Sequence, residues 1–366
     1  MSGYDIYDDI AKRTNNNIYI GVIGAVRTGK STFIKRFMDT LVIPNIEDEY
    51  TKERAKDELP QSASGKTIMT TEPKFIPNEP VSISVGDNVN LNVRLIDCVG
   101  YIIPGAEGHM SGDEPRMVNT PWSSVPMPFE KAAETGTEKV IKDHSTIGIV
   151  VTTDGSITDI ERENYVEAEE RVINELKDLG KPFIVLLNSV HPYSPETEEL
   201  RKEIEDKNGV SVLSVNCAQL KQDDISSIIE KILREFPIRE VRLDFPKWID
   251  TLSFDHEIKK DVVSAIKDFM AKADKIKDIT ICAKGLEDSN FIRNAYINNI
   301  DMGKGSASIE IALNDGLFYN VISETAGSNI KDDYQLISLL KELSHMKKNY
   351  AKIESALNVA QNKGYG

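Results

Sequence analysis

Apolar and polar positions along the first two thirds of the chain predict strands that alternate with helices. Continuous apolar runs at residues 17–23, 147–151 and 182–187 are typical of strands buried on both faces. Helix-like stretches precede the second and third runs. Apolar residues at 81–85 and 91–96 flank a Gly-Asp-Asn turn and predict an antiparallel hairpin. The pattern predicts an α/β fold with a doubly wound, mostly parallel sheet and one antiparallel edge strand.

The pattern changes after residue 237. Pro237 and Pro246 bracket an extended connector, and the predicted elements change to those of a small α+β domain. These elements are a helix over residues 256–276 and strands over residues 279–282 and 308–313. We therefore predict two domains, residues 1–237 and residues 238–366.

A long amphipathic helix is predicted at the end of the second domain, because apolar residues recur there every three or four positions. They are Leu336, Leu340, Leu343, Met346, Tyr350, Ile353, Leu357 and Ala360. Such a helix either packs along its own domain, which we favour, or forms an intermolecular coil. Residues 364–366 have the composition of a linker, and we expect the chain to be a piece of a longer protein.

A G-x-x-x-x-G-K-[ST] motif at residues 24–31 indicates the chemistry of the first domain, because it lies between a predicted strand and a predicted helix. Its glycines let backbone N–H groups point at phosphates, and the helix N-terminus adds partial positive charge. We expect Lys30 to reach the β- and γ-phosphates and Ser31 to bind magnesium. The predicted nucleotide-binding residues here are Gly24, Ala25, Val26, Arg27, Thr28, Gly29, Lys30, Ser31 and Thr32.

Two further parts of a nucleotide site follow this loop. Asp97 and Gly100 form a D-x-x-G motif at a strand end, where Asp97 is expected to bind magnesium through water and the Gly100 N–H to meet the γ-phosphate. Thr70 and Thr71 alone fit an ordinary edge strand, but their position between the two motifs favours a switch threonine that senses the γ-phosphate. The predicted catalytic residues are Lys30, Thr70, Thr71 and Asp97, and the predicted metal ligands are Ser31, Thr71 and Asp97.

The base-binding motif departs from that of a guanine-specific domain. The strand that ends at Asn188 continues into Ser189-Val190-His191, where an Asn-Lys-x-Asp motif would supply a carboxylate. That carboxylate would accept hydrogen bonds from guanine, and a site without it has little reason to reject adenine. We therefore predict ATP and Mg²⁺ as cofactors, with Asn188 near the base.

The residue after the D-x-x-G motif is Tyr101, where many GTPases place a glutamine that orients the attacking water. Hydrolysis then depends on Arg27, on the switch threonines or on a residue from a neighbouring subunit, and we expect slow turnover. The Gly- and Pro-rich residues 101–129 form either a nucleotide-responsive lid or subunit contact, or an ordered surface loop.

Composition limits the partners. A net charge of −15 argues against nucleic acid and against direct docking on an anionic membrane. Three scattered cysteines suggest neither a disulfide framework nor a metal site, which favours a reducing cytoplasm. No apolar stretch has the length of a membrane span or the features of a signal peptide. Any membrane association is therefore expected through a partner, through an anchor outside this chain or through a short surface patch.

The motifs and their surroundings closely resemble the stage IV sporulation protein A family, the spore-coat morphogenetic ATPases of endospore-forming Firmicutes. The segments that carry this resemblance are residues 21–35, 57–63, 67–75 and 143–148. The family resembles a translation-factor-type GTPase domain that has turned to ATP. The resemblance implies that Lys30 is the phosphate-loop lysine, Asp97 the magnesium-associated aspartate, and Thr70 and Thr71 the sensor threonines.

The resemblance also implies a biological role. It implies an ATPase of the mother-cell cytoplasm that polymerises with itself into a static shell around the forespore, as the platform of the spore coat. It implies a small amphipathic peptide that anchors the shell to the outer forespore membrane, coat-encasement proteins as partners, and a further C-terminal domain that this chain lacks. Two other hypotheses stay open: a GTP-dependent switch protein, and a scaffold that binds nucleotide without significant hydrolysis.

Overall fold

A computed structural model describes residues 6–60, 73–85, 89–106, 110–111, 114–120 and 123–364. Its strands up to residue 237 are β1 (Asn17–Ile23), β2 (Lys74–Val85), β3 (Val89–Asp97), β4 (Met110–Ser111), β5 (Glu114–Pro115), β6 (Met117–Thr120), β7 (Ser123–Pro128), β8 (Ile147–Thr153), β9 (Phe183–Asn188) and β10 (Val212–Val215). Its helices there are α1 (Ile6–Thr14), α2 (Lys30–Phe37), α3 (Glu49–Asp57), α4 (Phe129–Lys139), α5 (Glu163–Asp178), α6 (Pro195–Asn208) and α7 (Gln222–Arg234).

Six of these strands form the central sheet, in the order β10-β9-β8-β1-β3-β2. Neighbouring strands are parallel except at one edge, where β2 runs antiparallel to β3. The predicted hairpin and the three predicted parallel strands are confirmed. The chain is therefore a mixed α/β protein with a largely parallel central sheet.

The central sheet lies between two clusters of buried side chains. Successive residues of β9 alternate between them: Ile184 belongs to one cluster, Val185 to the other. On the first side, α2 and α7 contribute Phe33 and Ile228, and on the second side α5 contributes Tyr165. Because both faces of β8 and β9 are covered, every residue of these two strands is buried and their sequences are almost entirely apolar.

Residues 101–129 contain short antiparallel pairings. Strands β4 and β5 pair with each other, and so do β6 and β7. The Phe129 N–H, at the start of α4, donates to the Arg116 carbonyl at 2.8 Å. The described part of the segment is thus ordered locally. Its role as a nucleotide-responsive lid or subunit contact stays a hypothesis.

The later elements are β11 (Glu240–Asp244), α8 (Glu257–Lys272), α9 (Ile279–Gly285), β12 (Ile292–Asp301), β13 (Ser306–Leu313), α10 (Leu317–Ala326) and α11 (Asp333–Lys363). Strands β11, β13 and β12 form a three-stranded sheet in that order. The predicted helix and the predicted strand at 308–313 are confirmed as α8 and β13. The predicted strand at residues 279–282 is wrong, because these residues lie in α9, and the expected connector after Pro237 contains β11.

Two compact units divide the chain. The first contains residues 1–241 together with 273–279 and 299–307. The second contains residues 242–272, 280–298 and 308–366. The first unit thus includes two segments that follow residue 237 in the sequence. The division into domains at residue 237 stays a prediction.

The predicted long helix is confirmed as α11, which has 31 residues. The favoured interpretation, that it packs along its own domain, is wrong for most of its length. Of its described side chains none is buried, and those from residue 340 to residue 354 are all exposed. None of the described helices combines the length and the apolar character of a membrane span.

Candidate functional site

The loop between β1 and α2 has the backbone shape that its glycines allow. Gly24, Arg27 and Gly29 have positive φ angles of 138°, 68° and 94°. A Cβ atom on Gly24 would lie 2.2 Å from the Val151 carbonyl oxygen, and one on Gly29 would lie 2.3 Å from the Asn188 side-chain nitrogen. Glycine is therefore required at both positions, by conformation and by space. The loop curls around the N-terminus of α2, as the motif predicts.

Lys30 folds into this loop. Its Nζ donates hydrogen bonds to the carbonyl oxygens of Ala25 at 2.6 Å and Gly24 at 3.3 Å. Thr28 also donates to Ala25, through Oγ1 at 3.0 Å. Burial lowers the pKa of Lys30 to about 8, although the nearby Asp97 carboxylate favours the charged form. The loop therefore surrounds a cation with poor access to water, and such a cation favours the binding of an anion.

Ser31 and Asp97 meet directly beside Lys30. The Ser31 hydroxyl donates to Asp97 Oδ2 at 2.7 Å. Burial raises the pKa of Asp97, while the bond from Ser31 and the charge of Lys30 oppose this shift. A hydroxyl and a carboxylate side by side are hard oxygen ligands of the kind that Mg²⁺ prefers. The donor set therefore fits a magnesium ion at the predicted position.

The D-x-x-G segment is hydrogen-bonded to the loop between β1 and α2. The Val26 N–H donates to the Tyr101 carbonyl at 2.9 Å, and the Tyr101 N–H donates to the Gly24 carbonyl at 3.2 Å. Gly100 has a φ of 94°, and a Cβ atom there would lie 2.5 Å from Lys30 Nζ. The close approach of Gly100 to Lys30 explains why this position needs glycine.

The Tyr101 side chain is anchored on α5. Tyr101 is 4% exposed, its hydroxyl donates to Glu175, and the Arg171 guanidinium lies 5.2 Å from the ring centroid. Burial is the main cause that raises the pKa of Tyr101, and the bond to Glu175 adds to it. The side chain after the D-x-x-G motif is thus a structural anchor and is not placed to orient a water molecule.

Asn188 connects two loops at the carboxyl edge of the sheet. Its Nδ2 donates to the Thr28 carbonyl at 3.0 Å, and its Oδ1 accepts from the Cys217 N–H at 3.0 Å. Both ends of the buried amide are therefore occupied by protein groups. The predicted contact between Asn188 and the base stays a prediction, whereas its bond to the loop between β1 and α2 is an observation of the structure.

The segment after Asn188 presents no carboxylate at the position of the guanine-specific aspartate. Ser189 is buried, and its hydroxyl accepts from the His191 N–H at 3.0 Å. His191, which replaces the aspartate, is exposed. The preference for ATP over GTP stays a prediction.

Sequence reasoning missed a turn that lies next to this segment. Asp154 follows β8 and accepts from the backbone and hydroxyl of Ser156 at 2.9 and 2.6 Å. The Ser156 hydroxyl in turn accepts from the Val190 N–H at 2.9 Å. Burial raises the pKa of Asp154, but its hydrogen bonds outweigh burial and lower it overall. The available signal was an Asp-Gly-Ser turn at the carboxyl end of a parallel strand, where ligands usually bind.

The structure brings most of the predicted site residues together. Those whose contacts join the loop, the D-x-x-G segment and the end of β9 are Gly24, Ala25, Val26, Thr28, Gly29, Lys30, Ser31, Asp97, Gly100 and Asn188. Arg27 lies in the same loop, and Thr32 follows in α2. Thr70 and Thr71 lie outside the described residues. Within the described ranges, no cluster of three or more His, Cys, Asp or Glu side chains could hold a metal ion.

Two family models match the chain from end to end. Residues 1–237 match the stage IV sporulation protein A ATPase domain, and residues 238–366 match the middle domain of the same family. The name of the first domain supports nucleotide binding and hydrolysis in general.

Curated relatives agree with these matches. A stage IV sporulation protein A from Clostridioides difficile is 52% identical over 99% of this chain and 74% of the relative. Proteins of the same name from Bacillus subtilis and Bacillus anthracis are 45% and 46% identical over 100% of this chain and 74% of each relative. With both domains and these relatives in agreement, the chain belongs to the stage IV sporulation protein A family.

Proposed function

We propose that this chain is a magnesium-dependent ATPase with a P-loop NTPase fold related to translation-factor GTPases, whose cycle drives self-assembly of a scaffold on the forespore surface. The observation that carries the proposal is the placement of Lys30, which lies under the phosphate loop beside the hydrogen-bonded Ser31 and Asp97. These groups provide a cation, loop N–H groups and oxygen ligands within one small site.

The residues of the loop have separate roles in this proposal. The phosphates would replace the carbonyls of Gly24 and Ala25 as partners of Lys30, and the N-terminus of α2 would face them. Ser31, Asp97 and Thr71 would hold the magnesium ion, which neutralises phosphate charge when it is bound. The Gly100 N–H would contact the γ-phosphate, and Thr70 or Thr71 would sense it.

ATP is the proposed nucleotide because the base-binding segment has no carboxylate for guanine. Neither Ser189 nor His191 carries a carboxylate, whose two oxygens would accept the two guanine hydrogen bonds as an aspartate does. A GTP-dependent switch is accordingly the weaker hypothesis.

Slow turnover is proposed because Tyr101 cannot orient the attacking water. Its hydroxyl is engaged by Glu175 on α5. Arg27, Thr70, Thr71 or a second copy of the chain would have to supply this function. The same observation favours a second candidate function, a scaffold that binds nucleotide without significant hydrolysis.

The cellular part of the proposal rests on the family. The chain would act from the mother-cell cytoplasm at the outer forespore membrane, held by a small amphipathic peptide, and would recruit coat-encasement proteins. We propose residues 1–237 as the ATPase domain and residues 238–366 as a separate middle domain.

Assembly in the presence of nucleotide tests this proposal. We expect ATP with Mg²⁺ to convert the chain into material that sediments, and Lys30→Ala to prevent this. The Thr70→Ala, Thr71→Ala double variant should bind ATP like the unaltered chain but assemble more slowly. Equal assembly of Lys30→Ala and the unaltered chain would contradict the coupling between nucleotide and assembly, whereas equal loss of ATP binding in both variants would contradict the sensor assignment.

A further inference from the structure

The long helix α11 carries a row of apolar side chains that its own unit leaves exposed. Their spacing alternates between three and four residues, and their relative exposure runs from 37% for Leu357 to 63% for Met346. We call this row the seam; it consists of Leu343, Met346, Tyr350, Ile353 and Leu357. Leu336 and Leu339 continue the same spacing towards the start of α11, where they are half-buried.

The spacing of the seam is that of a coiled coil. A mean repeat of 3.5 residues keeps one face of a helix turned towards a helical partner that winds around it. The 31 residues of α11 span about 46 Å, at 1.5 Å per residue. A helical segment without packing contacts is only marginally stable in water, so a partner on the seam would supply stability that the isolated segment lacks.

Charged residues beside the seam indicate what this partner is. In heptad terms the seam occupies the a and d positions. The charged residues at the flanking e and g positions from residue 342 onwards are Glu342, Lys347, Glu354 and Lys363. This set contains equal numbers of acidic and basic side chains, which is the composition expected of a helix that pairs with a copy of itself.

We infer that the seam is an interface between two copies of this chain, which pair as an antiparallel two-stranded coiled coil. The register that overlaps the whole seam places Tyr350 opposite Ile353 of the second copy. It places Met346 opposite Leu357 of the second copy, and Leu343 opposite the small Ala360. Each layer thus joins two different side chains, which lets large and small residues fill the space between the helices.

The same register matches all the flanking charges. Lys347 lies opposite Glu354 of the second copy, and Glu342 lies opposite Lys363, and two-fold symmetry repeats each pair. A parallel pairing in register would match Glu342 with Lys347 but would stack Tyr350 on Tyr350 and place Glu354 opposite Asn349. Charge complementarity therefore favours the antiparallel arrangement.

This inference rests on the proposed self-assembly, for which it supplies one contact surface. In an antiparallel pair the half-buried first turns of the two α11 helices lie at opposite ends of the coil. Each copy keeps the rest of its surface available, so further contacts can extend the pair into a larger assembly.

Charge reversal tests the antiparallel register. Lys347→Glu would face Glu354 of the second copy, and Lys347→Glu combined with Glu354→Lys would restore the pair with exchanged signs. Positions 347 and 354 are two helical turns apart, so the restored attraction cannot arise within one helix. The full chain is studied without nucleotide, and the dissociation constant of its dimer is measured by analytical ultracentrifugation.

We expect Lys347→Glu to raise the dissociation constant about tenfold, because two symmetric attractions become repulsions. The double variant should return to within about threefold of the unaltered chain. The matched control Lys348→Glu, on the side of α11 away from the seam, should change little. A monomeric unaltered chain, an unchanged Lys347→Glu or a double variant as weak as the single variant would each overturn the inference.

Cysteine pairing gives an independent test of the same register. A mixture of Met346→Cys and Leu357→Cys chains should form disulfide-linked dimers that contain one of each, with the unaltered chain as the control for its native cysteines. Dimers of Met346→Cys with itself would overturn the antiparallel register.

Because the dimer is measured without nucleotide, the inference and the proposed ATPase can fail separately. A chain that dimerises but releases no phosphate would contradict the proposed ATPase alone. A monomer that releases phosphate would contradict this inference alone.

Discussion

Gly100 shows how closely single atoms are packed in the candidate site. An added Cβ would lie 2.5 Å from Lys30 Nζ and 2.8 Å from the Gly24 carbonyl oxygen, at a φ of 94°. Gly100→Ala should therefore displace Lys30 and lower the free energy of unfolding by about 2 kcal/mol. ATP binding should weaken at least about tenfold. Thermal unfolding and a fluorescent-nucleotide titration measure the two effects.

Gly105 provides the matched control for this substitution. Its φ is 83°, and an added Cβ would meet no atom of the described residues within 4 Å. Gly105→Ala should thus cost only backbone strain, about 1 kcal/mol, and leave ATP binding unchanged. Equal binding by both variants would show that the contact between Gly100 and Lys30 does not shape the site.

Sequence predicts well which residues lie together in the candidate site where a motif fixes both the residue and its local backbone. Lys30, Ser31 and Asp97 belong to motifs whose residue spacing is typical of one particular loop conformation. The bond from Asn188 to Thr28 could not be predicted in this way, because it joins residues 160 positions apart. The direction of the Tyr101 side chain likewise depends on Glu175, which lies on another element.

Among the secondary-structure elements, α7 ends at a buried charge cluster. Glu235 caps α7, is 1% exposed at its side chain, and pairs with Lys275 and Lys277 at 2.8 Å each. Ser211 donates a further hydrogen bond to it. The two lysines belong to the segment 273–279, which the first compact unit includes. Glu235 therefore holds a segment from the later sequence against the end of α7.

Glu235→Gln should lower the free energy of unfolding by about 2 kcal/mol at pH 7, because a buried charge pair loses one partner. Burial would raise the pKa of Glu235, but the bonds from Lys275, Lys277 and Ser211 outweigh burial and lower it. A carboxyl with a lowered pKa stabilises the fold above its unfolded pKa of 4.5 and loses this contribution as the pH falls through its folded value. The difference between variant and unaltered chain should therefore shrink below about pH 4.5.

Urea unfolding at pH 7 and at pH 3.5 measures this difference. Glu230→Gln is the matched control, because Glu230 lies on the same helix in a half-exposed pair with Arg234. Its loss should cost less than about 1 kcal/mol. A Glu235→Gln variant as stable as the Glu230→Gln control would contradict the structural role of the cluster.

The sequence pattern at residues 279–282 predicts a strand, whereas the structure has helix α9 there, and this difference has a physical explanation. A short run of β-branched and apolar residues fits a strand or a buried helix equally well. Here Ile279, Ala283 and Leu286 are buried while Ile281 is 76% exposed. Burial thus follows the helical spacing, and that spacing becomes visible only when the run is read together with the residues that follow it.

For the whole molecule, sequence predicts the central sheet because β1, β8 and β9 are largely apolar runs and β2 and β3 flank a turn. It does not predict which later segments join the first compact unit, since residues 273–279 and 299–307 reach it through contacts that have no local pattern. It also predicts the length of α11 but not its exposure. A heptad repeat has the same sequence whether its partner is part of the same chain or a second copy.

We propose that Lys30 binds the phosphates of ATP in a site that hydrolyses ATP and not GTP. Phosphate release from ATP and from GTP, under identical Mg²⁺ conditions and with Lys30→Ala as the control, tests it most directly. We expect slow release from ATP, little release from GTP, and a loss of about a hundredfold or more in Lys30→Ala. Release from GTP in preference to ATP, or release from ATP that persists in Lys30→Ala, would contradict it.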